Sequence, residues 1–397
     1  MNTLRIESLV AGGRGVGRLE GRAVFIPDVA PGDLVEMRIT SDRGRFLEAA
    51  VIKVVEAGPG RIEPRCRHQR QCGGCSWQHL AYPVQVDAKK RMLEDSLRRI
   101  GRLTELPETE VWTAEPWGYR NRAQFQPGID RDGRFWGFFC GGSRKALRLS
   151  ECPVLVPELS EAWNALPPPE SSPFEDRYER VARVFGWNGK RWLHVPGETS
   201  EVGVTVLGRN LRFRSDGFFQ SNLALLPRLV EAVMDGLDGK WAVDLYAGVG
   251  LFARFLEERF PQVDVVEPDP AASALARQNL SKSKFHPLTA EGWLSRPQPI
   301  RPDVVVVDPP RQGLTSHALE GLLRLSPRKL RYVSCGHDTL ARDLGRFVRE
   351  GWTLTRLHLF DFYPQTPHLE SLACLEAPAE RQTSLNSGRW VRGRLGA

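Results

Sequence analysis

No apolar run in the 397 residues approaches the length that spans a bilayer, and Met1–Val10 lacks a signal-peptide pattern. Both absences point away from membrane and secreted proteins, so a cytoplasmic protein with no membrane partner is expected. No internal repeat is visible, which sets aside solenoids and propellers. Cysteines are few, seven in all. In a reducing compartment they read as metal ligands, nucleophiles or buried thiols rather than as disulfides.

What is present is length, uneven charge and a change of grammar along the chain. A chain of this length calls for two or three domains. The net charge is +7, but Arg65–Arg102 holds nine Lys/Arg against three Asp/Glu, and Arg120–Arg148 holds seven against two. Arg389–Ala397 adds three Arg and no acid, leaving an acidic remainder. Basic blocks on an acidic body suit a polyanion such as RNA, because Lys and Arg release counterions from phosphates. A solvated helix face would carry the same charge.

Residues 1–57 read as all-β. Short runs such as Val24-Phe25-Ile26 and Val35-Glu36-Met37 alternate with breaks at Ala11–Gly15, Ala30–Asp33 and Ser41–Gly44. This spacing predicts a small OB-like β-barrel. Residues 58–210 hold the cysteine cluster and two basic blocks, and predict a central α+β domain. Within it Val86, Met92, Leu93, Leu97 and Ile100 have helical spacing over Gln85–Ile100. Pro167–Pro173 reads as a loop. Residues 211–380 alternate strands and helices. Trp241–Tyr246, Val263–Glu267, Asp303–Asp308 and Arg331–Cys335 are expected strands of a parallel α/β sheet. Residues 381–397 form an Arg-rich tail.

Chemistry concentrates at the ends of those strands. Asp244-Leu245-Tyr246-Ala247-Gly248-Val249-Gly250 is a strand, a glycine turn and a helix start, where the backbone can approach a ligand closely. Glu267 closes the next strand, where a carboxylate can bind ribose hydroxyls. The same pattern serves dinucleotides. Asp308-Pro309-Pro310-Arg311 discriminates: a rigid turn after an acid presents carbonyls to a planar group, as in methyltransferases that set S-adenosylmethionine beside a nucleobase. Cys335 ends a strand and precedes a helix through Gly336-His337-Asp338, where the helix dipole favours a thiolate. A thiolate adding to carbon 6 of uracil makes carbon 5 nucleophilic, and a base must then remove the carbon-5 proton. Cys335 is the expected nucleophile. Glu370, in His368-Leu369-Glu370-Ser371, is the expected base.

Cys66-x₅-Cys72-x₂-Cys75 is compact, with Gly73 and Gly74 permitting tight wrapping. Cys152, followed by proline, is the best fourth ligand, and Cys140 competes with it. Zinc and a [4Fe–4S] cluster both fit four thiolates. Cys140 and Cys374 read as ordinary buried thiols. Tyr119-Arg120-Asn121-Arg122-Ala123-Gln124-Phe125 mixes cations with aromatics, as single-stranded RNA readers do; a strand with one polar face is the rival reading.

Together these motifs resemble the bacterial RNA (uracil-5-)-methyltransferases, in particular the rRNA-modifying branch with an N-terminal TRAM domain and an iron–sulfur cluster. The resemblance runs from about Ile6 to Leu375. It includes Phe218-Phe219-Gln220-Ser221-Asn222, which looks like the family's F-x-Q-x-N signature. It implies a class I (Rossmann-like) methyltransferase domain and S-adenosylmethionine contacts at Gln220, Tyr246, Gly248, Leu251, Glu267, Glu291 and Asp308. It also implies a [4Fe–4S] cluster on Cys66, Cys72, Cys75 and Cys152, with Cys335 and Glu370 catalytic. The expected substrate is a uridine of 23S rRNA, extruded from its stack. The rivals are a tRNA uridine-5 and an RNA cytosine-5 methyltransferase. A monomer is expected. The chain departs from the family pattern in carrying Gly336 where Asn usually follows the nucleophile, then His337 rather than Pro. Leu251 stands where many relatives have a polar residue.

Overall fold

The computed structural model of the protein describes residues 2–169, 182–194, 200–298 and 300–379. The expected tail at 381–397 and residues 170–173 of the expected proline loop lie outside them. Pro167–Pro169 have no regular structure, as anticipated.

The first six strands are β1 (Asn2–Arg5), β2 (Ser8–Leu9), β3 (Gly15–Leu19), β4 (Arg22–Ile26), β5 (Leu34–Asp42) and β6 (Phe46–Glu56). They form one sheet in the order β1-β5-β6-β4-β3-β2. Glu20 and Gly21 both have positive φ, 49° and 80°, the geometry that turns a two-residue hairpin. Register shifts along β5 and β6 bend the sheet over a core of Leu4, Ile6, Val24, Ile26, Val35, Met37 and Leu47. Buried Asp33 anchors the connection that follows. Burial alone would raise its carboxyl, but hydrogen bonds from Arg61 and from the Gly58 and Ala30 N–H groups hold it below its ordinary value.

Next come α1 (Tyr82–Arg99), β7 (Thr109–Trp112), β8 (Arg122–Asp130), β9 (Gly133–Phe139), β10 (Ala146–Leu147), α2 (Pro157–Asn164), β11 (Ala182–Trp187) and β12 (Lys190–His194). In α1 the expected Met92, Leu93 and Leu97 are buried, but Ile100 falls past the helix end and is 46% exposed. Polar Gln85 and Lys89 are buried on the helix instead. Strands β10-β9-β8-β11-β12 form an antiparallel sheet over Phe125, Leu159, Trp163 and Val184. A separate hairpin follows, β13 (Glu201–Val206) with β14 (Arg209–Arg214).

The α/β part contains α3 (Leu226–Met234), β15 (Trp241–Leu245), α4 (Leu251–Leu256), β16 (Gln262–Val266), α5 (Pro270–Asn279), β17 (Lys284–His286), α6 (Ala290–Leu294), β18 (Val304–Val307), α7 (Ser316–Leu325), β19 (Lys329–Ser334), α8 (His337–Arg349), β20 (Thr353–Phe360) and β21 (Glu370–Glu376). Its eight-stranded sheet runs β17-β16-β15-β18-β19-β21-β20-β7. The parallel strands expected from the valine-rich runs are present from β17 to β19, while β21 returns antiparallel to β19. Strand β7 joins this sheet from within the segment expected to be central, so the layers are not consecutive blocks of chain. The described residues divide into two compact units, one within 1–95, 111–228 and 359–370, the other within 96–110 and 229–358 and from 371 on. No helix among the described residues is long and apolar enough to cross a membrane.

Candidate functional site

Strand order reverses direction at β15, whose neighbours are β16 and β18, and such a point opens a cleft at the strand carboxyl ends. Tyr246, Glu267, Asp308 and Cys335 each stand one residue beyond a strand end. The turn after β15 puts Tyr246, Gly248 and Gly250 at φ of 61°, 55° and 84°. At Gly250, the N-cap of α4, a Cβ would stand 2.8 Å from Leu280; at Gly248 it would meet open space. The Gly248 N–H donates to Glu267 Oε2 at 2.8 Å and the Asp269 N–H to Oε1 at 2.8 Å. Glu267 therefore braces the turn, and its remaining lone pairs can take ribose hydroxyls.

Asp244 was not singled out from the sequence, although it opens the glycine motif. It is 1% exposed; its Oδ2 accepts the Ala253 N–H at 2.9 Å, and Oδ1 has no hydrogen-bond partner among the described residues. Burial pushes its carboxyl up to about 8 against the pull of that N–H, and the charges of Asp308 and Glu267 add to the rise. Asp308 retains some accessible surface, yet the protein packed around it pushes its carboxyl up to about 7. Three acids around one turn suit a cationic ligand, and the sulfonium and ammonium of S-adenosylmethionine are cations.

Tyr246 and Glu291 line a cavity of about 580 Å³ with Pro310, Gly313, Thr315 and Arg342. Glu291 Oε1 accepts the Thr315 hydroxyl at 2.6 Å, which ties α6 to the start of α7. Gly248, Leu251, Glu267 and Asp308 do not line this cavity. The Leu251 side chain is only 8% exposed and belongs to the packed face of α4. In the other unit, Phe219 stacks on Phe213 with ring centroids 4.2 Å apart, and Gln220 is 4% exposed. The Gln220 Oε1 is buried without a hydrogen-bond partner among the described residues. A buried amide oxygen left open is costly unless a ligand satisfies it.

Cys335 is half-buried between β19 and Gly336, the N-cap of α8. The Leu340 N–H donates to the Gly336 carbonyl at 2.9 Å, closing the first turn. A Cβ at Gly336 would lie 2.7 Å from Thr339 Oγ1 and 2.8 Å from the Arg311 carbonyl. The asparagine that the family pattern carries there would require Thr339 and the Arg311 backbone to shift. Ser334 pairs with Ser371 in the β19–β21 register, and the Ser371 hydroxyl donates to the Ser334 carbonyl at 3.0 Å. Glu370, 2% exposed, is the residue of β21 just before Ser371.

The loop leading to Glu370 rests on a buried polar network that sequence reading missed. Lys89 Nζ lies 2.5 Å from Asp361 Oδ1, both side chains fully buried, and also donates to the Tyr363 carbonyl at 2.9 Å. Gln85 exchanges hydrogen bonds with Gln365, through its Nε2 to Gln365 Oε1 at 2.9 Å and from the Gln365 N–H to its Oε1 at 2.8 Å. The Tyr119 hydroxyl donates to the Pro364 carbonyl at 3.0 Å. The only trace of this in the sequence is polar residues at i and i+4 on the inner side of α1.

Cys66, Cys72, Cys75 and Cys152 line one cavity of about 330 Å³. Burial raises the thiols of Cys75, to about 11, and Cys152, to about 12, with neighbouring cysteines adding to the rise. Among the described residues no three His, Cys, Asp or Glu side chains are grouped as a single ion would need. Four soft sulfur donors around a cavity of this size fit a multi-iron group. Cys140 also lines it, half-buried and with its backbone paired to that of Cys72 while both thiols stay free, so it is not the ordinary buried thiol expected; Cys374 is one. Tyr119 and Phe125 are buried, and Phe125 stacks on Phe138 and Trp163 at 5.0 and 5.1 Å. Arg122–Phe125 opens β8 with one polar face, the preceding Tyr119–Asn121 lies outside the strand, and both aromatics of the motif are core.

Comparison with known proteins adds the following. Residues 3–52 match the model of the TRAM domain, and 299–377 match that of tRNA (uracil-5-)-methyltransferase. An uncharacterized RNA methyltransferase of Aquifex aeolicus is 31% identical over 94% of this chain and 98% of its own. A 23S rRNA (uracil(1939)-C(5))-methyltransferase, RlmD, of Pseudomonas putida is 30% identical over 94% and 93%. The crystal structure of Pyrococcus abyssi tRNA (uracil-54, C5)-methyltransferase with S-adenosyl-L-homocysteine has the same fold, with a TM-score of 0.73 at 23% identity, covering 94% of this chain and all of that one.

Proposed function

We propose, on the premise that this chain belongs to the RNA (uracil-5-)-methyltransferase family and methylates RNA from S-adenosylmethionine, that its target is a uridine of 23S rRNA and that Cys335 acts as a covalent nucleophile. The observation that carries the mechanism is the position of Cys335 at the end of a central strand and the start of α8. The helix N-terminus favours the thiolate, which forms a bond to carbon 6 of uracil and pushes electrons toward carbon 5. S-adenosylmethionine supplies the electrophilic methyl group that carbon 5 takes. Glu370 removes the carbon-5 proton; the electron pair re-forms the ring double bond and expels the Cys335 sulfur.

Gln220, Tyr246, Gly248, Glu267, Glu291 and Asp308 are the residues we assign to the cofactor, with Leu251 packing beneath the turn. Asp244, Asp308 and Glu267 supply the negative field that a sulfonium prefers over its neutral product. Cys66, Cys72, Cys75 and Cys152 would hold a [4Fe–4S] cluster, which would tie the 66–75 segment to the segment around Cys152. The rRNA assignment follows the 23S rRNA-specific relative, to which this chain is 30% identical over 94% of its length.

Nucleoside mass spectrometry of rRNA and tRNA, from cells with and without the gene, tests the assignment. Loss of 5-methyluridine from rRNA alone is expected. Loss from tRNA alone would keep the mechanism and overturn the substrate. Loss of 5-methylcytidine instead would overturn the base.

A further inference from the structure

A second cavity, of about 270 Å³, opens on the five-stranded sheet and is lined by Arg120, Arg122, Arg183, Phe218 and Tyr363 among others. No Asp or Glu lines it. Strands β8 and β11 pair antiparallel with Arg183 opposite Gln124 and Phe185 opposite Arg122, which brings the arginines to one side. Two of the three are held rather than free to swing. Arg122 donates to the Gly217 carbonyl at 2.7 Å and the Phe219 carbonyl at 3.1 Å. Arg120 donates to the Arg122 carbonyl at 3.0 Å and lies over the Phe138 ring. None of the three has an ion-pair partner among the described residues. Burial, and after it the like charges of Arg120 and Arg183, disfavour the Arg122 cation. Asp216, itself paired with Arg214, offsets this in part, and an oxyanion among the three converging guanidinium groups would relieve the remaining repulsion.

The rim narrows the choice of oxyanion. Phe218 is 75% exposed, while its neighbour Phe219 is locked in the core against Phe213. A large apolar ring held in water beside a cationic pocket matches a ligand with a flat face next to its negative charge. We propose that this cavity is a subsite for one phosphodiester of single-stranded RNA, with the adjoining base stacked on Phe218. The proposal rests on RNA being the substrate and deepens that reading, since it names a contact outside the cofactor cleft. Inorganic phosphate shares the oxyanion chemistry and lacks the base.

Binding of fluorescein-labelled oligouridylate to the full chain, measured by anisotropy across a salt series, tests this. Arg183→Ala should weaken binding about tenfold at low salt and make the log–log salt slope shallower by about 0.7, the single-strand value for one lost phosphate contact. Arg183→Lys should keep the slope. Phe218→Ala should weaken binding about tenfold with the slope unchanged, because stacking releases no counterions. Thermal melting checks that each variant is folded, and Phe218→Ala, altering an exposed side chain, stays informative if Arg183→Ala is not. Wild-type binding with unchanged affinity and slope in folded Arg183→Ala, or unchanged affinity in Phe218→Ala, would overturn the subsite alone. Displacement of oligouridylate by equimolar inorganic phosphate would reassign the pocket to free phosphate. No wild-type binding at any salt would overturn the RNA reading and the subsite with it.

Discussion

In the proposed reaction Cys335 makes the bond to the base and Glu370 releases the product, and variants of the two should separate these steps. Cys335→Ala should abolish both methylation and the covalent RNA complex seen on denaturing gels; full product from it would sink the covalent mechanism. Glu370→Gln should still transfer methyl but release product about 10²–10⁴-fold more slowly, the usual weight of a general base. The covalent complex should then accumulate, and normal release would point to another base. Gly336 is a steric matter. Since a Cβ there would stand 2.8 Å from the Arg311 carbonyl, Gly336→Ala should lower stability by about 1–3 kcal/mol in denaturant titration.

Asp244 and Asp308 give a pH signature at the same scale. Their carboxyls are raised, to about 8 and about 7, so the folded apo-protein holds protons that the unfolded chain releases near pH 4. Stability from these two groups is complete below about pH 4 and is lost as pH rises toward 7 and 8. A cationic ligand works in the opposite direction by favouring the ionised acids. Calorimetry should find the affinity for S-adenosylmethionine rising between pH 6 and 8, with a weaker rise for S-adenosylhomocysteine, whose sulfur is neutral. Parallel curves for the two would remove these acids from cofactor recognition.

Helix α1 and the 361–367 loop are joined by Lys89 and Asp361, both fully buried. Lys89→Met should cost about 3–5 kcal/mol, because it leaves a buried carboxylate without its cation. Adding Asp361→Leu should recover much of that loss, and a double-mutant cycle by denaturant unfolding measures the recovery. If Lys89→Met is neutral, the pair does not hold the loop. Elements differed in how far the sequence betrayed them. The valine runs of β16 and β18 and the breaks around β3–β6 were legible, because burial on two faces and turn chemistry leave local marks. The burial of Gln85 and Lys89 was not, since their partners lie more than 270 residues away.

For the whole molecule the cysteine cavity gives the broadest test. Protein purified without oxygen should carry about four iron and four sulfide per chain and absorb visible light. Cys75→Ser should lose that absorption and melt at a lower temperature, whereas Cys140→Ser should keep it. Loss of absorption in Cys140→Ser alone would make Cys140 the fourth ligand in place of Cys152.

Much of the candidate site could be read before any fold was known. Asp308-Pro309-Pro310, the isolated Cys335 and the cysteine spacing are local patterns, because strand ends, tight turns and metal ligands constrain neighbouring residues in the chain. The sequence by itself determined the parallel sheet, the glycine turn and the place of Cys335 between a strand end and a helix N-terminus. Only the tertiary structure decided that the aromatics of Tyr119–Phe125 are core, that burial raises the Asp244 carboxyl and that Cys140 lines the same cavity as Cys66, Cys72, Cys75 and Cys152. Burial, electrostatic neighbours and long-range pairing are properties of the folded surroundings, and no local window of the chain contains them.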